Sequence, residues 1–140
     1  ETFLEGRGWP LHQQKRASAR SVSAELHGDF QAFKQQWPMN CHLKQASRID
    51  VALERDIARL DGIMSCCRRK YGDGGDWLFG RFSIADAFMA PFAIALDCHG
   101  AELTAAAEDY CQMLLRNMNV MEWLYEAQVE LNGVRFAKAG

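Results

Sequence analysis

Long apolar runs are missing from this chain. No stretch reaches the ~18 residues of a membrane-spanning helix, and the opening Glu1-Thr2-Phe3-Leu4-Glu5 has neither the basic start nor the apolar core of a secretory leader. Charge of one sign is scarce as well. Sixteen Lys and Arg against eighteen Asp and Glu leave a formal net charge of −2, which makes no case for a nucleic acid or an anionic membrane as partner. Proline occurs three times, and no segment alternates with the period of two that a half-buried strand requires. Five cysteines are an odd number and do not describe a disulfide framework, so a reducing compartment, by default the cytoplasm, is expected.

What is present points to helices. Apolar residues at 49% over 140 positions are enough for one domain with a core of its own. The pattern is organised around Phe79-Gly80-Arg81-Phe82-Ser83-Ile84-Ala85-Asp86-Ala87-Phe88. Ser83 is a good N-cap and Asp86 follows at N3, which predicts a capping box with an acid in the usual Glu or Gln position. The Ser83 hydroxyl would face the Asp86 amide, and the Asp86 carboxylate would turn back to the Ser83 amide. From Ala87 to Leu96 no side chain is polar or charged, so this helix is expected to be central and packed on every side. Pro91 within it removes one hydrogen bond and predicts a bend. His99-Gly100 supplies its stop.

Around that helix the four/three rhythm recurs. Val22, Leu26, Phe30, Phe33 and Trp37 form one stripe and predict a single long helix, Leu11 to Trp37, with Pro10 at its start. Ser47-Arg48-Ile49-Asp50 repeats the capping-box pattern and opens a second long helix. Its stripe is Ile49, Leu53, Ile57, Leu60, Met64, Cys67 and Tyr71. Two such helices in succession are expected to pack antiparallel. Gly72 to Asp76 is a glycine-rich breaker without the ending of a phosphate loop. A shorter helix from Thr104 to Arg116 turns Ala107, Tyr110, Cys111, Leu114 and Leu115 inward. Asn119 would cap a last one carrying Val120, Trp123, Leu124, Ala127 and Leu131, closed by Asn132-Gly133. The prediction is an all-α orthogonal bundle of about five helices around a buried central one.

Three of these stretches together resemble a known family. Gly80 to Phe88 resembles the start of the buried sixth helix of glutathione S-transferases, where a Ser/Thr-x-x-Asp box nucleates the C-terminal helical domain. Ser23-Ala24-Glu25-Leu26-His27-Gly28-Asp29-Phe30 resembles the fourth helix of the beta-type, bacterial members. Asn119-Val120-Met121-Glu122-Trp123-Leu124 resembles the start of a late helix, with Asn119 where proline is frequent. The likeness runs from about Trp9 to Ala127. It implies that residues 1–8 are the remnant of the last helix of a thioredoxin-like domain and its linker, 9–132 the helical domain, and 133–140 a tail. It also implies that the catalytic Tyr, Ser or Cys and the glutathione-holding residues belong to that other domain. The chain alone would then be silent in catalysis, with glutathione a co-substrate of the parent family rather than a ligand of this part.

Under that resemblance His27 lies near the thiol of bound glutathione. Arg20 falls where the same helix can reach a glutathione held by the partner subunit, with a fork of donors suited to a carboxylate. Read as residues alone, both are helix-surface groups. Gly28 stands where lysine is frequent, and Ala95 where some beta-type enzymes carry a tryptophan facing the acceptor. Ser83 and Asp86 are structural, a cap rather than a catalytic pair. Cys41-His42 with Cys66-Cys67 offers metal-ligand types, but adjacent cysteines are not zinc spacing, and no metal is expected. Two other functions fit the same pattern. One is a non-catalytic module that dimerises through the two long helices. The other is a binder of small apolar ligands.

Overall fold

The computed structural model describes residues 8–37 and 49–138, the side chains of residue 128 and of residues 131–138 excepted. Six α-helices are present among them: α1 (Gln13–Gly28), α2 (Gln31–Gln36), α3 (Val51–Tyr71), α4 (Ile84–His99), α5 (Ala105–Leu115) and α6 (Met118–Lys138). No strand occurs among the described residues, and the class is all-α.

The expected first long helix is two helices. Gly28 ends α1, and Phe30 takes a left-handed conformation with φ 63° and ψ 42°. That conformation is uncommon for a bulky residue. It persists here because the Phe30 ring is buried and packs edge-on against Phe92, 5.5 Å between centroids. The stripe nonetheless survives the break, since Val22, Leu26, Phe30, Phe33 and Trp37 are all buried. The turn reorients the backbone while keeping the same face toward the core. Pro10 does not open α1, which begins three residues later behind His12.

α1 and α3 run antiparallel, but they do not interlock as a direct pair. α1 packs chiefly on α4, and α3 on α2 and α5. Polar side chains bridge the two rims instead. The Ser18 hydroxyl donates to the Tyr71 hydroxyl at 3.0 Å, and Arg59 forks onto Glu25 at 2.5 and 2.8 Å. Lys15 reaches the Tyr71 carbonyl at 2.9 Å and pairs with Asp73.

α3 begins at Val51 behind Asp50, whose carboxylate accepts from the Leu53 amide at 2.8 Å. The start is therefore set by Asp50 and not by Ser47, which lies outside the described residues together with Cys41 and His42. Ile49 precedes the helix and is exposed. The rest of the stripe from Leu53 to Cys67 is buried, and Tyr71 is half-buried. α3 also caps two neighbours. Asp56 accepts from the Phe33 amide in the first turn of α2 at 2.9 Å. Asp61 receives both the amide and the hydroxyl of Thr104, the residue before α5, at 2.6 and 2.8 Å.

α4 lies between α1 and α5, and nine of its residues are buried. It runs unbroken through Pro91 and ends at Gly100, whose φ of 67° demands little of a residue with no Cβ. The expectation of a helix packed on every side needs one correction. Ala87 and Phe88 are exposed and Pro91 is half-buried, so one flank is open. That flank accommodates Pro91, because the Ala87 carbonyl that loses its partner lies where water reaches it.

α6 differs from expectation at both ends. Asn117 is its cap, accepting from the Asn119 amide at 3.0 Å, so Asn119 is already inside the helix. Asn132-Gly133 does not stop it, and residues 134–138 continue the helix to Lys138. A glycine inside a helix costs about 1 kcal/mol, which is a weak point rather than an end. Val120 is buried and Leu124 half-buried, whereas Trp123 is exposed.

Candidate functional site

The capping box at the start of α4 is the best-satisfied polar group of the core. Asp86 is fully buried, and four donors converge on it: the Ser83 amide and hydroxyl at 2.9 Å each, the Leu78 amide at 3.1 Å and the Tyr110 hydroxyl at 3.0 Å. Ser83 and Asp86 form the box with each other. Burial pushes the Asp86 carboxyl above its usual range, against the pull of those donors. Burial beside the carboxylate raises the Tyr110 hydroxyl well above its ordinary value. A carboxylate whose oxygens are taken by four internal donors has no free valence for a substrate. The group is structural, tying the loop at Leu78, the start of α4 and the middle of α5 to one point.

The open flank of α4 forms one wall of a cleft. Its lining comes from three elements: Leu26 and His27 of α1, Phe33 and Lys34 of α2 with Trp37 just beyond it, and Phe88, Pro91, Phe92 and Ala95 of α4. The volume is about 340 Å³, room for a small aromatic molecule. The Phe33 ring meets Phe92 at 5.4 Å and Trp37 at 5.7 Å, so the floor is a continuous aromatic surface. At the mouth the His27 ring stands edge-on to Phe88, 6.2 Å between centroids. Lys34 donates to the His27 carbonyl at 2.7 Å, with its ammonium 5.9 Å from the centre of the Phe92 ring. The polar rim is thus an imidazole and an ammonium, and no carboxylate lines the cleft.

His27 is at this cleft, and Arg20 is not. Seven residues earlier on α1, Arg20 lies about 10 Å away along the axis and sits over the Trp9 ring at 5.6 Å. A second cavity of about 230 Å³ opens at the start of α1, between the entering segment and residues 79–83, and Arg20 does not line it. Ala95 is in the cleft floor, so the position where a tryptophan would fill the space is vacant of bulk. Lys34 was not legible as a rim residue, because its approach to His27 depends on the chain reversing at Phe30. Trp37, Phe88 and Phe92 read as core filling, and only the opened flank of α4 turns them into a wall. No group of three or more His, Cys, Asp or Glu side chains with metal-holding geometry exists among the described residues. Among them, too, no helix is long and apolar enough to cross a membrane.

No family model matches the chain, and a search of curated proteins returns no match.

Proposed function

We propose that this chain is a helical domain of glutathione-transferase type, in which the cleft between α1, α2 and α4 is the wall for a small apolar acceptor. The thiol nucleophile would be held by a thioredoxin-like domain and not by residues 8–138. The observation that carries the reading is the cleft itself, an aromatic floor on the flank of the helix launched by Ser83 and Asp86, with His27 at its mouth. The His27 imidazole at that mouth offers ring nitrogens that can hydrogen-bond to and orient a thiol brought up to it. Ammonium and imidazole without an opposing acid favour an acceptor that is electron-poor or carries negative charge at its exposed end. Arg20, in the middle of α1, would serve as a carboxylate-binding group through the fork of donors on its guanidinium.

The same cleft also favours a plainer reading, a binder of small apolar ligands that performs no reaction. One set of titrations tests both. An anilinonaphthalene dye should bind the chain saturably in the micromolar range, and Ala95→Trp, which fills the floor, should abolish that binding while the circular dichroism stays helical. Dye binding indifferent to Ala95→Trp refutes the cleft. Glutathione titrated against the chain alone should give no signal, and micromolar binding would refute the assignment of the thiol site to another domain. Conjugation of an electron-poor aryl halide, restored by supplying the accompanying domain and lost in His27→Ala, separates the transferase from the plain binder.

A further inference from the structure

α6 has two apolar faces and packs with only one. At about 100° per residue, Val120, Leu124 and Ala127 fall on the side turned to the bundle, where each is buried or half-buried. Met118, Met121, Tyr125 and Val129 fall within one arc of about 80°, centred about 130° round the helix from that side, and they are 84%, 54%, 68% and 51% exposed. Four large apolar side chains at steps of three, four and four form a continuous stripe along three turns of helix, not a scatter of single residues. Two of the four are methionines, whose flexible thioethers adapt to a facing surface.

The charge beside the stripe narrows the occupant. Glu122, Glu126 and Glu130 recur every fourth residue along one edge of it, and all three are exposed. Among the described residues none of them makes an ion pair. A second copy of the chain laid antiparallel on the stripe would set this acidic row against its own image, and like charges brought together are unfavourable. Laid parallel, the row would meet the other edge of the same stretch, and residues 118–130 include no Lys or Arg to receive it. We propose that the outer face of α6 is a docking surface for an amphipathic helix of a partner protein, apolar along one stripe with lysine or arginine beside it. Apolar contact would supply the affinity, and the row of glutamates the orientation and the choice of partner.

The test uses the full chain and two fluorescein-labelled helical peptides, each about three heptads long. Both carry leucine along one stripe; one has lysine and the other glutamate on the flanks. In fluorescence anisotropy the lysine peptide should bind saturably and at least ~10-fold more tightly than the glutamate twin, a difference that salt should shrink. Met121→Ser with Tyr125→Ser should abolish binding, and Glu122→Gln with Glu126→Gln and Glu130→Gln should erase the preference. All these positions are exposed, so the helical circular dichroism should be unchanged in both variants. Equal affinity for the two peptides, no binding at millimolar concentration, or binding that survives Met121→Ser with Tyr125→Ser overturns the proposal. So does a concentration-dependent dimer in sedimentation that Tyr125→Ser dissolves, because the occupant is then a second copy.

Discussion

Removing the Asp86 carboxylate should cost far more than removing an ordinary helix cap. Ser83→Ala deletes one hydroxyl and should destabilise by about 1 kcal/mol, the usual loss for an N-cap serine. Tyr110→Phe deletes one donor to a buried carboxylate and should cost about 1.5 kcal/mol. Asp86→Ala acts differently, because it leaves the Leu78 amide, the Ser83 amide and the Tyr110 hydroxyl with no acceptor in a site with no access to solvent. Each orphaned donor is worth ~1–3 kcal/mol, and with partial relaxation the sum should be about 4 kcal/mol. With a urea m-value of about 2 kcal/mol/M, the midpoint should fall by about 2 M, against about 0.5 M for Ser83→Ala. Urea titrations followed by circular dichroism and by the fluorescence of Trp37 and Trp77 would measure both. A double-mutant cycle between Tyr110→Phe and Asp86→Asn should show coupling of about 1 kcal/mol or more. If Asp86→Ala costs no more than Ser83→Ala, the carboxylate is only a local cap and the convergence from α5 has no energetic weight.

Two further perturbations read other parts of the bundle. Burial raises the Cys67 thiol to about 11 and the Cys111 thiol to about 12, so at pH 8 their thiolate fractions are roughly one in a thousand and one in ten thousand. Iodoacetamide should therefore label exposed Cys66 in the native chain and reach Cys67 and Cys111 only after unfolding; equal labelling rates by mass spectrometry would contradict the packing of α3 and α5. The Leu53 amide holds the Asp50 carboxyl below the usual carboxylate range. A carboxyl lowered on folding contributes stability above its unfolded value of about 4, and that contribution fades as pH falls through the lowered one. The stability gap between wild type and Asp50→Asn should accordingly hold near neutrality and narrow below about pH 4; a gap that persists unchanged to pH 2 would show that the cap is not formed.

Much of the helical bundle could be read from spacing, because the hydrophobic period records which face is buried. It does so even where the helix is interrupted, which is why Val22 to Trp37 kept their stripe while the break at Phe30 stayed hidden. A phenylalanine with positive φ carries no sequence signature, since it is held by Phe92 from another helix. The box of Ser83 and Asp86 is local and was visible. The hydroxyl of Tyr110 reaches it from 24 residues away and was not. The last helix differs from its sequence signals at both ends, because Asn119 and Asn132-Gly133 carry cap and stop chemistry that neighbouring residues override. Spacing groups Trp123 with Val120 and Leu124, yet its place on α6 leaves it exposed. Of the cleft, the resemblance points to His27, while the place of Lys34 depends on how the chain turns between α1 and α2.

That turn has a kinetic corollary. A helix of six residues is too short to persist on its own, and its entry residue, Phe30, offers no side-chain acceptor to its first turn. Asp56, projecting from a neighbouring 21-residue helix, meets that need. The aromatic floor should therefore assemble only after α3 has formed. During refolding, amide protection at Phe33 would lag behind protection along α3, and in the native state it would be lost earlier, so that the ligand wall loosens before the bundle that carries it.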